Sequence, residues 1–261
     1  MRFFILTDLE GTAGVYKWSQ VTETSSEEYR QAKIWMTEEV NSCVEGILEV
    51  MPDSEIIVWD GHGHGGIEIT RLHPEAKLIP RGFIRAPYTF DQGYDGIFMI
   101  AQHAMAGTGG NLCHTYSLKV YRYWLNGKEI GEIGLRAYLA GHFGIPVLLV
   151  SGDDYACREA KEFIPDVEVV EVKKTIHNEL AILISQQKAN KLIKEGTKRV
   201  LGRIDKIKPV KIPPPYTFRA QFLSTTVIKG IIHSNPQMKE IDPYTVEISG
   251  EDFVSVVGHF A

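Results

Sequence analysis

FFILTDLEG, residues 3–11, joins a short apolar run to a turn that carries two carboxylates. A short apolar run that ends in polar residues is typical of a buried strand, so we predict a strand over 3–7 and a functional turn after it. Two later stretches have the same form: residues 55–59 (EIIVW) precede DGHGHGG, and residues 96–102 (GIFMIAQ) precede His103. Each predicted strand therefore ends where possible metal ligands begin.

The segments between these strands have helical patterns. Residues 25–51 begin with a capping serine pair and two glutamates, and their apolar side chains recur at roughly helical spacing. Residues 131–144 predict a second helix, residues 145–151 (IPVLLVS) another buried strand, and residues 156–163 a third helix. This alternation predicts an α/β fold with a mainly parallel sheet and helices on both faces. Ligand sites in such sheets lie beyond the carboxyl ends of the strands, where the polar clusters fall.

The last part of the chain has a different pattern. A basic helical segment is predicted over 178–203, followed by the proline-rich connector 206–215 (KIKPVKIPPP) and by short β-like runs. We therefore predict an α/β metal-binding catalytic domain over residues 1–190 and a smaller α+β C-terminal region over residues 191–261.

Composition limits the class of protein. The 261 residues are 44% hydrophobic and 23% charged, which is enough for a sizeable core. The net charge is -5, and basic residues are scattered among acidic ones, so we expect neither nucleic acid nor a membrane as partner. The N-terminal apolar run is too short for a signal peptide, and no apolar stretch reaches the ~20 residues that span a bilayer. Cys43, Cys113 and Cys157 form no C-x-x-C pair, which favours reduced thiols and a cytoplasmic location.

Two clusters carry the first candidate ligands. Asp8 and Glu10 are two positions apart at a strand end, a spacing that turns both carboxylates to one side and lets them share a cation. Alternatively, one caps the next segment and the other is solvated. The second cluster is DGHGHGG, in which His62 lies among glycines that let the backbone approach an ion closely. These histidines could equally belong to a flexible surface loop.

Three more residues complete the candidate set. His103 directly follows a predicted strand, and His114 lies eleven positions later, after a glycine-rich stretch. Glu132 stands at a helix entry, where a glutamate is also favoured by the helix dipole alone. The candidate metal ligands together supply oxygen and nitrogen donors without a thiolate: Asp8, Glu10, His62, His103 and Glu132. Such a set suits a hydrolytic zinc, manganese or cobalt site, and five donors can hold two ions with one bridging carboxylate.

The sequence resembles the bacterial D-aminopeptidases of the DppA type, a family of self-compartmentalising zinc peptidases. The resemblance covers about the first two-thirds of the chain, in order and at matching spacing. It runs through FILTDLEG (4–11), WMTEE (35–39), DGH (60–62), the segment with His103 and His114, GEIGL (131–135) and PVLLVSGDD (146–154).

Carried over position by position, the resemblance implies two zinc ions per subunit, with the five candidate donors as ligands and Asp8 as the bridge. It implies that His114 is the catalytic residue, acting as a nucleophile or a proton carrier, whereas His64 has no counterpart. Two residues depart from the family pattern: Cys113 stands where the family has serine, and Arg136 stands where it has asparagine.

The implied activity is removal of the N-terminal residue from short peptides, with D-residues preferred, by a homo-oligomer that is a decamer in this family. Three alternatives remain: an L-aminopeptidase, an amidohydrolase of small amides on the same scaffold, and a non-enzymatic, metal-stabilised protein that binds peptides. Arg136 supports the first two, because a guanidinium near the site could fix a substrate carboxylate. Asp60 is expected either to orient a ligand histidine or to stabilise its own turn.

Overall fold

The computed structural model describes residues 1–81 and 86–260, and the strands in them form two sheets. The strands are β1 (Arg2–Thr7), β2 (Glu55–Asp60), β3 (Ala76–Ile79), β4 (Gly96–Gln102), β5 (Val120–Leu125), β6 (Lys128–Glu129), β7 (Val147–Asp153), β8 (Glu168–His177), β9 (Leu180–Leu183), β10 (Tyr216–Phe222), β11 (Lys239–Asp242) and β12 (Thr245–Gly250). The helices are α1 (Ser19–Thr22), α2 (Glu27–Val50), α3 (Glu132–His142), α4 (Asp154–Phe163), α5 (Gln186–Leu201), α6 (Thr225–Ser234) and α7 (Phe253–Val257). Short 3₁₀ helices lie at Ile69–Arg71, Phe90–Gln92 and Ile204–Lys206.

The larger sheet has seven strands in the order β3-β2-β1-β4-β7-β8-β9. Its pairs are parallel except for the antiparallel pair of β8 and β9. Alternate residues of β1 enter different cores: Phe4 packs in the cluster with α3 and α4, whereas Phe3 packs in the cluster with α2 and α5. Helices therefore cover both faces of a mainly parallel sheet, and the predicted α/β class is confirmed.

The smaller sheet is antiparallel and has the order β11-β12-β10-β5-β6. Its strands β5 and β6 lie well before residue 190, and helix α5 runs through residue 190 while it packs on α2. The division into residues 1–190 and 191–261 stays a prediction.

The predicted basic helix over 178–203 is wrong at its start. Residues Leu180–Leu183 form β9, which pairs with β8, and the helix begins at Gln186. The Ser185 side chain accepts a hydrogen bond from the backbone N–H of Lys188, which caps the helix at this point. The N-terminal boundary is therefore set by a cap that follows the hairpin.

The candidate site depends on three neighbouring strands. β2, β1 and β4 are adjacent and parallel, so the loops after Asp60, Thr7 and Gln102 leave the sheet at the same edge. Gly11 lies against the main chain of β4: a Cβ there would be 2.2 Å from the carbonyl carbon of Ala101. A glycine is required for this close approach, which holds the turn after β1 against the end of β4.

Two sequence-level observations have structural counterparts. The three cysteines are free, and Cys43 and Cys157 are buried. Among the described residues, no helix is both long enough and apolar enough to cross a membrane.

Candidate metal centre

The five predicted donors converge at the carboxyl edge of the larger sheet. Asp8 and Glu10 follow β1, His62 follows β2, His103 follows β4, and Glu132 is the first residue of α3. Each is buried, with 7% or less of its surface exposed. Donor atoms of Asp8, Glu10 and His103 lie within 4.8 Å of one another, as do those of His103, His114 and Glu132. Their role as metal ligands stays a prediction. The contacts made by the ring nitrogens of each histidine support it.

His62 presents a lone pair to two carboxylates. Its Nε2 lies 3.0 Å from the carbonyl oxygen of Val21. Because a carbonyl only accepts, this contact assigns the proton of the neutral ring to Nε2 and leaves Nδ1 as an acceptor. That Nδ1 lies 3.4 Å from Oδ1 of Asp8 and 3.2 Å from Oε2 of Glu10. Three acceptors that face each other are held together best by a cation between them.

His103 has the same arrangement with its two nitrogens exchanged. Its Nδ1 lies 3.0 Å from the carbonyl oxygen of Ala104, which assigns the ring proton to Nδ1. Among the described residues its Nε2 has no hydrogen-bond partner, and it faces Oδ2 of Asp8 at 3.5 Å and Oε1 of Glu132 at 3.4 Å. A buried nitrogen without a partner, aimed at two carboxylates, fits a ligand atom of a metal site.

Asp8 connects these two groups of acceptors. Its Oδ1 faces His62, and its Oδ2 faces His103. Burial works to raise the pKa of Asp8, but its interactions with His103 and His62 hold that pKa well below its ordinary value. One oxygen of Asp8 therefore belongs to each of the two groups of acceptors.

Negative charge dominates this edge of the sheet. Burial works to lower the pKa of His62, yet Glu10 and Asp8 raise that pKa well above its ordinary value. Burial likewise works to lower the pKa of His103, and Asp8 and Glu132 raise that pKa well above its ordinary value. Divalent cations at this edge would balance the same carboxylates with both rings neutral, since metal ligation requires the neutral imidazole.

Arg136 lies against the carboxylates on one side. Its Nη2 is 2.8 Å from Oε2 of Glu132, and its Nη1 is 3.8 Å from Oδ2 of Asp8. Burial works to raise the pKa of Glu132, but the charges of Arg136 and His103 lower it to about 2. The guanidinium thus binds candidate ligands, an arrangement different from the free substrate-binding group considered from the sequence.

His114 lies beside the candidate ligands. Its ring stacks on that of His103, with centroids 3.9 Å apart and an angle of 16° between the planes. Its Nδ1 lies 3.0 Å from the carbonyl oxygen of Leu112, which assigns the proton to Nδ1 and leaves Nε2 as an acceptor. The half-buried ring also meets the edge of Trp18, with centroids 5.5 Å apart. This position is compatible with proton transfer, and also with binding a cation.

Asp60 stabilises its own loop. Its carboxylate accepts hydrogen bonds from the backbone N–H groups of Gly66 and Ile67 at 2.8–3.0 Å. The ring proton of His62 is instead directed at the carbonyl of Val21. Of the two roles considered for Asp60, the structure therefore shows the turn-stabilising one.

A cavity of about 260 Å³ opens over these residues. Its walls include Trp18, His64, His114 and Leu118, in addition to the candidate ligands Asp8, Glu10, His62 and Glu132. A larger cavity of about 560 Å³, between residues 14–20 and α2, is lined by none of the candidate ligands. The smaller cavity is therefore the candidate active site, because of these two it is the one lined by candidate ligands and by His114.

The sequence did not identify Trp18 or the carbonyls of Val21 and Ala104 as parts of this site. Every residue has a carbonyl, so no residue type marks the two that bind the histidines. Trp18 lies outside the strand ends that drew attention to the other residues, and the segment 11–24 brings it over His114.

Comparison with known proteins agrees with the resemblance seen in the sequence. The family model described as D-aminopeptidase, peptidase family M55, matches residues 1–261. A D-aminopeptidase of Bacillus subtilis (strain 168) is 34% identical over 218 residues, which cover 82% of this chain and 78% of the relative. The solved structure of the Zn-dependent D-aminopeptidase DppA from Bacillus subtilis, a self-compartmentalizing protease, superposes with a TM-score of 0.92 at 29% identity. That match covers 99% of this chain and 95% of the solved one.

Both relatives act as aminopeptidases, so the non-enzymatic alternative is set aside. With its buried set of oxygen and nitrogen donors and a family match over residues 1–261, the chain belongs to the D-aminopeptidase family M55 and is a metallo-aminopeptidase.

Proposed function

We propose that this chain is a two-zinc aminopeptidase that removes D-residues from the N-terminus of short peptides. The observation that carries the two-metal part is the division of Asp8, which turns Oδ1 to His62 and Oδ2 to His103. Zinc is supported by the donor set, which lacks thiolates, and by the zinc dependence of the solved relative.

Asp8, Glu10 and His62 would hold one cation, and Asp8, His103 and Glu132 the other. Bound zinc supplies a Lewis acid for the scissile carbonyl and a water of lowered pKa. The backbone contacts at Val21 and Ala104 keep both histidines in the tautomer that offers a lone pair to the cation.

His114 is the proposed proton carrier. Its Nδ1 is held by the carbonyl of Leu112, so Nε2 is the nitrogen available to take a proton from the nucleophile and return one to the leaving amine. Stacking on His103 fixes the ring beside the cation positions.

Preference for D-residues is supported by the family and by both relatives. A matched panel of D- and L-alanyl amides and dipeptides tests it, with kcat/KM as the measured quantity. We expect the D-forms to react faster. Equal or reversed preference would favour the L-aminopeptidase or the small-amide amidohydrolase.

The metal part is tested by analysis of purified protein. We expect close to two zinc ions per chain and loss of activity in a chelator, with recovery on addition of zinc. Protein that keeps full activity without any bound ion would contradict the proposal.

A homo-oligomer is also part of the proposal, with the decamer as its specific form. The solved relative is described as self-compartmentalizing. The hairpin of β8 and β9 exposes Ile176 at 56% and Ile182 at 59%, and β9 is an edge strand. An exposed apolar edge of this kind is suited to pairing between copies. Size-exclusion chromatography with light scattering would measure the molar mass and distinguish a decamer from smaller forms.

We propose a cytoplasmic location, which the free cysteines support. Fractionation of cells that produce the protein would test it.

A further inference from the structure

The proposed centre has two cation positions that share Asp8. The His62 position is bounded by Oδ1 of Asp8, Glu10 and Nδ1 of His62. The His103 position is bounded by Oδ2 of Asp8, Nε2 of His103 and Oε1 of Glu132. Each position has two carboxylates and one imidazole, so their donor types are the same. The groups around these donors are different at the two positions.

Arg136 makes the His103 position different. Its guanidinium contacts Oε2 of Glu132 at 2.8 Å and lies 3.8 Å from Oδ2 of Asp8, so it shares both carboxylates of that position. The remaining oxygen of Glu132 also accepts a hydrogen bond from the backbone N–H of Tyr116 at 2.6 Å. The carboxylates of the His103 position therefore face a cation with part of their charge already neutralised.

The guanidinium cannot easily move away. Arg136 is 2% exposed, and its Nη1 donates to Oε1 of Gln102 at 3.2 Å. The ring of Tyr116 lies 5.2 Å from its central carbon, and that of Trp59 lies 5.9 Å away. A cation at the His103 position would therefore bind in the presence of this fixed positive charge.

The positive groups near the His62 position are placed differently. Lys173 donates to the main-chain carbonyls of Glu10 and Val15, not to a ligand carboxylate. Among the carboxyl groups that act on the buried Lys173, Asp153 and Glu39 have larger effects than the candidate ligand Glu10. Arg81 donates to the carbonyl of His64 and is exposed, so solvent screens its charge.

We infer that the two positions bind cations with unequal affinity, and that Arg136 makes the His103 position the weaker one. This inference rests on the proposed two-metal function. A unit charge fixed a few ångströms from a divalent cation in a poorly solvated site lowers its affinity by about tenfold or more. When metal is scarce, the chain would hold one cation at the His62 position, and activity would follow occupancy of the His103 position.

The first test is calorimetric titration of metal-free, full-length protein with Zn²⁺, using a competing chelator for the tight class. We expect two classes of one ion each, separated by about tenfold or more in dissociation constant. His62→Ala should abolish the tight class, and His103→Ala should abolish the weak class. A single class of two ions with the same dissociation constant, or loss of the tight class in His103→Ala, would overturn the inference.

The second test addresses the cause. Arg136→Gln should tighten the weak class by about tenfold or more and change the tight class little, whereas Arg136→Lys, which keeps the charge, should leave the weak class weak. Arg158→Gln removes an exposed arginine that pairs with Asp154 on α4 and should change neither class. Equal tightening in the Gln and Lys variants would show that charge is not the cause.

The two proposals fail in different ways. Binding of fewer than two ions at saturating Zn²⁺ would contradict the proposed two-metal function, whereas two equal sites would contradict only the inequality. Circular dichroism checks that each variant is folded. If Arg136→Gln does not fold, the titrations of the wild type and of the two histidine variants still decide which position is weaker.

Discussion

The rings of His103 and His114 are stacked, with centroids 3.9 Å apart, and one carbonyl holds both residues. The carbonyl of Ala104 accepts from Nδ1 of His103 at 3.0 Å and from the backbone N–H of His114 at 3.3 Å. The candidate ligand and the candidate proton carrier are thereby fixed by the same peptide group, although eleven positions separate them in the sequence.

This relationship leads to a prediction about His114. We expect His114→Ala to keep its zinc and its fold while kcat falls by ~10²-fold or more, the usual effect of losing a general acid or base. Metal analysis, steady-state kinetics and circular dichroism should be done on one preparation. His233→Ala, which changes an exposed histidine on α6, is the control.

Two other outcomes would assign His114 differently. Loss of zinc together with activity would make it a ligand, which the 4.8 Å grouping with His103 and Glu132 allows. A change confined to KM would make it a substrate-binding residue.

The sequence predicted what depends on local pattern and residue type. Apolar runs that end in Asp8 and His103 identified β1 and β4 and the edge at which their ligands meet. The strand β9 was missed because four apolar residues beside a basic helix do not reveal a pairing with β8. The antiparallel pairing of β5 with β10 was also not predicted, because the two strands are more than ninety positions apart in the sequence.

The site was predictable to a similar extent. Donor side chains can be recognised by type, but the placement of Arg136 between Glu132 and Asp8 depends on how α3 packs against the sheet. The carbonyls of Val21 and Ala104 have no signature in the sequence, because their function comes only from their position.

Trp18 is predicted to keep His114 in place. Its Nε1 donates to Oδ1 of Asn178 at 3.2 Å, and its backbone N–H donates to Oε1 of Glu179 at 3.0 Å, so the tip of the β8–β9 hairpin holds the indole against His114. Trp18→Ala should lower kcat by roughly tenfold without loss of zinc, because small displacements of a reacting group are costly. Trp18→Phe retains an aromatic edge and should lose less. If both variants keep wild-type kcat, the indole has no role in positioning His114.

Gly11 is predicted to be intolerant of a side chain. A Cβ at this position would lie 2.2 Å from main-chain atoms of Ala101 and Gln102. The main chain in the centre of a sheet cannot move far enough to remove this overlap. Gly11→Ala should lower the free energy of unfolding by about 3 kcal/mol or more, measured by urea denaturation. Gly230→Ala is the matched control, since the added methyl group on α6 would meet no described atom within 4 Å apart from the backbone of its own helix and its chain neighbours. That variant should be stabilised by ~0.5–1 kcal/mol, and equal effects at the two sites would contradict the prediction.

Glu39 is predicted to make stability depend on pH. It is fully buried on α2, and burial raises its pKa from 4.5 to about 7, although the backbone N–H of Ala13 donates to it. Because the folded-state pKa exceeds the unfolded one, the folded chain binds more protons between these values, and this group lowers stability progressively as the pH rises through that interval.

The variant Glu39→Gln removes the titrating carboxyl group and keeps a side-chain oxygen that can accept the hydrogen bond from the backbone N–H of Ala13. Relative to the wild type, its free energy of unfolding should therefore rise between pH 5 and pH 8, by on the order of 2–3 kcal/mol. Glu38→Gln, at the neighbouring half-buried residue, is the control for loss of a carboxylate on the same helix. Urea denaturation across this pH range measures the difference, and a Glu39→Gln variant whose gain did not grow with pH would show that Glu39 is ionised in the fold.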